Sequence, residues 1–290
     1  MSELANLLSN VKNLEIKTKQ IVEGMDSGDF RSLFRGGGME FSQVRAYVLG
    51  DDPRRIDWNV SARMGEIFVK EFQEEKELNI YVLVDISAST EIGIHQTKKE
   101  ISFQLAASLL FSAAKNNDRV GLALLSNKLE RFIPSGKGRN HIFKSLSELV
   151  SHKPQNTTTD LKNTINQIQR LIKKRSVLFV ISDFLSPEFT NSIKMLSLRH
   201  HVILLNIFDE IEMQIPNVGY TYLEDIESGK QILVNTSDPL FQKEYSQIIS
   251  YNQKKFHDEM KKMGVDVINL SNTESFDITF NRYFRSRGKR

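Results

Sequence analysis

The chain has 290 residues, enough for one large α/β domain with an accessory segment, and its 40% hydrophobic and 26% charged composition excludes wholesale disorder. Its 39 basic residues against 36 acidic leave a formal net charge of +3, so no global positive field draws it to nucleic acid. The absence of cysteine excludes disulfides, thiolate-bound zinc and cysteine nucleophiles.

Leu4, Leu7, Leu8, Val11 and Leu14 recur at helical spacing behind Ser2 as a cap, which predicts an opening amphipathic helix that packs against a core. This stretch lacks the basic start, apolar run and small-residue cleavage site of a secretory leader, and every apolar run in the chain is too short to span a bilayer. A cytoplasmic protein is the expectation. Gly36 to Gly38 and the turn-rich Gly50-Asp51-Asp52-Pro53 interrupt helical periodicity, so residues 1–75 read as an N-terminal helix and accessory arm. Within the arm, Asp51, Asp52, Arg54, Arg55, Asp57 and Arg63 surround Trp58, the single tryptophan. These charges are expected to pair internally while Trp58 and Ile56 pin the arm to the domain. The alternative is that Arg54, Arg55 and Arg63 face a protein partner, since arginine is enriched at interfaces.

From Leu78 the pattern becomes short, continuously apolar strands separated by helical segments, the signature of a mostly parallel sheet covered on both faces. Strands are predicted at Ile80 to Val84, Arg119 to Leu125, Leu129 to Ile133, Val177 to Ile181, Val202 to Phe208 and Val265 to Leu270. Helices are predicted around Ile101 to Ala113 and at His141 to Val150, Leu161 to Leu171, Pro187 to Leu198 and Pro239 to Met263. Only Ser126, Asn127 and Lys128 separate the second and third strands, too few for a crossover, so that pair is an antiparallel hairpin and the third strand an edge. The fold class that follows is α/β, doubly wound, with a mostly parallel six-stranded sheet and one antiparallel edge strand. It spans residues 76–274, with an inserted hairpin at about 218–236. Residues 275–290 form an aromatic and basic tail, read as a solvated terminus or an anion-binding arm.

The first buried strand runs into Asp85-Ile86-Ser87-Ala88-Ser89 and the fourth into Ser182-Asp183. In the doubly wound order 3-2-1-4-5-6, those two strand ends are neighbours at the point where strand order reverses, where ligands bind. Two carboxylates with hydroxyls make an all-oxygen set suited to Mg²⁺ or Mn²⁺, and the loop Thr157-Thr158-Thr159-Asp160, just before a helix, brings another hydroxyl. The plainer reading is that Asp85 and Asp183 cap helices and Ser87 and Ser89 are turn residues.

These residues resemble the metal-ion-dependent adhesion site of von Willebrand factor A domains. More narrowly, the chain resembles the bacterial domain of unknown function family fifty-eight. That likeness rests on Val44-Arg45-Ala46-Tyr47, Gly50 to Trp58 with Ser61-Ala62-Arg63, Asp118 to Leu122, Thr159-Asp160-Leu161 and Ile181 to Phe184. The resemblance implies a von Willebrand factor A-like fold with Asp85, Ser87, Ser89, Thr159 and Asp183 as metal ligands. Thr157, Thr158 and Thr159 permit a shift of register, and Thr159 before Asp160-Leu161 fits best. Thr90 stands where a methionine is usual. Family members often carry N-terminal membrane helices, for which no run here is long enough.

The resemblance further implies a metal-dependent protein-binding module, not an enzyme, whose partner offers an Asp or Glu carboxylate. A MoxR-type AAA+ ATPase is the implied co-worker in assembling or maturing another protein. The first alternative is a metal-assisted phosphohydrolase, because aspartates after buried strands open many phosphoryl-transfer sites; Ser87 stands where such an enzyme places its acid/base carboxyl. The second is nucleic-acid binding through the basic tail.

Overall fold

The computed structural model describes residues 39–74, 77–91, 93, 96–154, 158–224, 229–271, 279 and 283. The expected N-terminal helix, Gly36 to Gly38, Thr157 and most of the basic tail lie outside the described residues.

The arm is built differently from the turn-rich segment expected. Strands β1 (Met39–Ala46) and β2 (Phe68–Glu74) pair antiparallel in a sheet of their own. Between them lie a 3₁₀ turn at Pro53–Arg55 and helix α1 (Trp58–Met64). Asp57 caps α1 by accepting from the N–H groups of Asn59 and Val60, and Gly65 ends it in the left-handed region at φ 75. Trp58 does not pin the arm: it opens a helix with no buried residue and is 68% exposed. Within the arm, the Asp57 N–H donates to the Phe68 carbonyl at 2.9 Å, the Phe68 N–H donates to the Ser61 hydroxyl, and Ile56 bridges the buried Val69, which ties α1 to β2.

The remaining strands and helices are β3 (Asn79–Asp85), α2 (Lys98–Lys115), β4 (Arg119–Leu125), β5 (Leu129–Gly136), α3 (Arg139–Ser151), α4 (Leu161–Leu171), β6 (Val177–Ser182), α5 (Thr190–Ser197), β7 (His201–Phe208), α6 (Glu210–Met213), β8 (Tyr220–Glu224), β9 (Gln231–Asn235), α7 (Pro239–Lys262) and β10 (Asp266–Ser271). Six of the strands form one sheet in the order β10-β7-β6-β3-β4-β5, parallel throughout except for β5, which returns antiparallel along β4. This is the doubly wound, mostly parallel six-stranded arrangement with one antiparallel edge strand expected from the sequence. Strands β8 and β9 pair only with each other, as the inserted hairpin.

The continuous apolar runs are explained by cover on both faces. Along β3, Ile80, Val82 and Val84 pack with Ile101, Leu105 and Leu109 of α2 and Ile142 and Leu146 of α3. Tyr81 and Leu83 face the other way, toward Leu161 and Ile165 of α4, Ile193 of α5 and Met260 of α7. Tyr283, expected in a solvated tail, packs against the first of these layers and donates its hydroxyl to Asp266 at 2.9 Å.

Gly121 shows why one motif residue must be small. Tyr81 lies opposite it on β3, stacks on Phe132 of β5 with ring centroids 5.8 Å apart, and accepts the Ser135 N–H at 3.2 Å. A Cβ at Gly121 would stand 2.4 Å from the Tyr81 ring and 2.7 Å from the Ile133 carbonyl oxygen. Gly121→Ala is therefore expected to destabilise the domain by about 1–3 kcal/mol, the usual cost of overpacking a filled core. A denaturant midpoint unchanged from wild type would contradict the placement of Tyr81.

Candidate metal centre

β3 and β6 are hydrogen-bonded parallel neighbours, and the chain leaves β3 toward β4 on one side while β6 begins the other half of the sheet. The switch point therefore lies between the ends of these two strands, where Asp85 and Asp183 emerge. Asp85 is fully buried. One of its oxygens accepts the Ser87 N–H at 3.0 Å and the other accepts the Ser182 hydroxyl at 2.7 Å, which ties the two strand ends together. Ser87 and Ser89, both buried, place their hydroxyl oxygens 3.1 Å apart. Thr90 is buried too, and its hydroxyl donates to the Ser87 carbonyl at 2.6 Å, so it holds the shape of this loop from behind.

The third loop reaches the same edge. The Asp160 N–H donates to the carbonyl of Ser126, just past the end of β4, and the Asp160 side chain caps α4 through the Asn163 N–H. Thr159 precedes it. Its hydroxyl oxygen is buried with no hydrogen-bond partner among the described residues, an expense that proteins seldom leave unanswered.

Asp183 is fixed by a strained turn. Phe184 adopts φ 54, a left-handed conformation costly for a bulky residue, and its ring packs on Phe189 and Phe256 with centroids 5.6 Å and 5.4 Å away. Aromatic burial thus offsets the backbone strain that turns Asp183 into the crevice. One oxygen of Asp183 accepts the Leu185 N–H at 3.3 Å, and the other accepts the ammonium of Lys98 at 2.9 Å.

Lys98 and Glu212 were missed by the sequence reading. Lys98, in the first turn of α2, is 1% exposed and its Nζ also lies 2.6 Å from Glu212. Glu212 belongs to a capping box with Asp209 directly after β7, a pattern legible in sequence as a helix start though not as part of this crevice.

The electrostatics follow from dryness. Burial, reinforced by the charge of Asp183 and opposed by the Ser87 and Ser182 hydrogen bonds, pushes the Asp85 carboxyl up to about 6. Burial also works against the Lys98 charge, but Asp183 and Glu212 more than offset it and hold the ammonium above the ordinary lysine range. Among the described residues no group of three His, Cys, Asp or Glu could hold a metal. The switch point instead gathers two carboxylates with the hydroxyls of Ser87 and Ser89, chemistry that fits a hard divalent ion, and Thr159 lies on the loop tied to the end of neighbouring β4. The unpartnered Thr159 oxygen and the crowded Asp85 carboxylate both fit such an ion.

The arm arginines lie in different settings. Arg54 is exposed and pairs with Asp52 at 3.1 Å, whereas Arg55 and Arg63 are exposed and form no ion pair among the described residues. The expected internal network is real but uses Arg45, which grips Asp51 with both guanidinium nitrogens at 2.7 and 2.8 Å and, with the Val48 N–H, holds that carboxyl down to about 2.

Because the folded Asp85 pKa is raised, metal-free protein loses stability as pH climbs from about 4 through about 6, where the unfolded chain has released this proton and the folded one still holds it. Asp85→Asn removes that penalty. In EDTA, its stability relative to wild type is expected to rise between pH 4 and pH 7 by up to about 3 kcal/mol. A constant difference across that range would contradict the assignment.

Residues 43–255 match the family described as "Protein of unknown function DUF58". The chain is 26% identical to "Uncharacterized protein Rv1480" of Mycobacterium tuberculosis over 285 residues, covering 97% of this chain and 90% of the relative. Among solved structures, "conserved hypothetical protein BatB" from Bacteroides thetaiotaomicron aligns over 73% of this chain and all of its own, with 17% identity and a TM-score of 0.48. The "SpRpn10 VWA domain" aligns over 71% of this chain and 95% of its own, with 10% identity and a TM-score of 0.39. A family match across most of its length, including the arm and the three crevice loops, makes this chain a member of the DUF58 family.

Proposed function

We propose that the chain is a metal-dependent protein-binding module. Asp85, Ser87, Ser89, Thr159 and Asp183 hold Mg²⁺ or Mn²⁺, and an Asp or Glu carboxylate of a partner completes the coordination sphere. The observation that carries this reading is the buried Thr159 hydroxyl, without a hydrogen-bond partner among the described residues, on a loop tied to the end of β4, the strand next to the one that ends in buried Asp85. The metal supplies the positive charge that links two sets of carboxylates; the loops hold it and leave a position open. A phosphohydrolase is less well supported, because the residue two places beyond Asp85 is the fully buried, uncharged Ser87.

The resemblance in sequence extends the reading to a MoxR-type AAA+ ATPase as partner, working in the cytoplasm on the assembly or maturation of a further protein. Among the described residues no helix is long and apolar enough to cross a membrane. Arg55 and Arg63, exposed and without an ion pair among the described residues, give the arm a second contact surface for an acidic partner.

Thr159→Val tests the metal reading with little structural disturbance, since it removes a hydroxyl that has no hydrogen-bond partner among the described residues. Calorimetric Mg²⁺ titration is expected to show roughly tenfold weaker binding with melting in EDTA unchanged or slightly raised. Wild-type affinity in the variant would remove Thr159 from the site. Arg55→Glu is expected to abolish capture of the ATPase while leaving the melting temperature unchanged; loss of stability instead would assign Arg55 a structural role.

A further inference from the structure

Lys98 needs its own explanation, because lysine is almost never fully buried without paired charge and because this one sits on a carboxylate assigned to the metal. Its Nζ bridges Asp183 Oδ2 at 2.9 Å and Glu212 Oε1 at 2.6 Å. Glu212 is itself fixed: its other oxygen accepts the Asp209 N–H at 3.1 Å, and its backbone carbonyl accepts the Tyr245 hydroxyl of α7 at 2.7 Å. The crevice thus connects through one ammonium to the segment after β7 and to the long helix α7.

We propose that Lys98 is a resident cation that competes with the divalent metal for Asp183, and that Glu212 sets the strength of that competition by sharing the ammonium. The proposal rests on the metal-centre reading. A cation already seated on Asp183 lowers the charge available to an incoming ion and repels it at short range, in a setting too dry for water to screen. Glu212 draws the ammonium away from Asp183. When metal occupies the centre, Lys98 leans on Glu212 alone, so metal occupancy is felt at α6 and, through Tyr245, at α7. Weak Mg²⁺ affinity in the isolated chain is the consequence, with tight binding reserved for the complex in which a partner carboxylate adds its charge.

Two substitutions separate this from a purely structural ion pair, because they move affinity in opposite directions. Lys98→Met removes the competitor and is expected to tighten Mg²⁺ binding by roughly tenfold or more, with a larger Mg²⁺-induced rise in melting temperature than wild type. Glu212→Gln leaves the ammonium wholly on Asp183 and is expected to weaken Mg²⁺ binding several-fold. Both would be read by calorimetric Mg²⁺ titration of the full chain, with circular dichroism confirming the fold. Mg²⁺ binding of equal affinity in all three proteins, or weakened in both variants, overturns the competition while leaving the metal centre standing. Absence of Mg²⁺ binding in all three folded proteins overturns the metal centre itself, and the competition with it. If Lys98→Met does not fold, Lys98→Gln takes its place: tighter binding than wild type supports the proposal, and equal or weaker binding overturns it.

Discussion

Asp85 and Asp183 emerge from neighbouring strands into a crevice that excludes water, so each carboxylate feels the other's charge with little to screen it. Everything distinctive about this end of the sheet answers that repulsion. Ser182 and the Ser87 N–H soften the charge on Asp85, while Lys98 neutralises part of the charge on Asp183. Lys98 is shared between Asp183 and Glu212, so one ammonium serves two carboxylates and Asp85 has no ion-pair partner among the described residues. Burial first, and the neighbouring charge of Asp183 second, raise the Asp85 pKa.

The fold makes the crowding unavoidable and then rigid. A sheet wound in both directions from β3 and β6 leaves a gap at their carboxyl ends that no crossover helix can fill. The loops lining the gap are each fixed from behind by groups that do not enter it: Thr90 behind Ser87, Asp160 and Ser126 behind Thr159, and the ring of Phe184 behind Asp183. Phe184 illustrates the division of labour, with backbone strain placed beside Asp183 and compensated in the aromatic layer under α7. Inside the arm, backbone bonds through Ile56, Asp57 and Phe68 hold α1 to β2 and leave Arg55, Arg63 and Trp58 exposed.

Much of this architecture was legible in the sequence because buried parallel strands write themselves as unbroken apolar runs. Each of the six runs became a strand of the sheet, and the three-residue link at Ser126 to Lys128 correctly forced the antiparallel edge. The strand-end position of Asp85 and Asp183 was legible for the same reason. The arm strands were not, since Met39–Ala46 and Phe68–Glu74 mix polar and apolar residues over a short span and pair across a turn-rich insertion. Trp58 misled because a large aromatic is buried on average, whereas this one opens a short helix with no buried face. Lys98 and Glu212 were invisible for a deeper reason: their partnership with Asp183 joins residues 85 and 114 positions apart, and nothing local marks a lysine as buried.

The most direct test of the central claim is a crystal structure of the full chain grown with Mn²⁺ and phased to display anomalous scattering. An anomalous peak is expected at the switch point, with Asp85, Ser87 and Ser89 oxygens about 2.1 Å away and Asp183 and Thr159 in direct or water-bridged contact. A crevice in which Lys98 still bridges Asp183 and Glu212, with no peak at Asp85 under saturating Mn²⁺, would contradict it and leave these residues as a purely structural charge cluster.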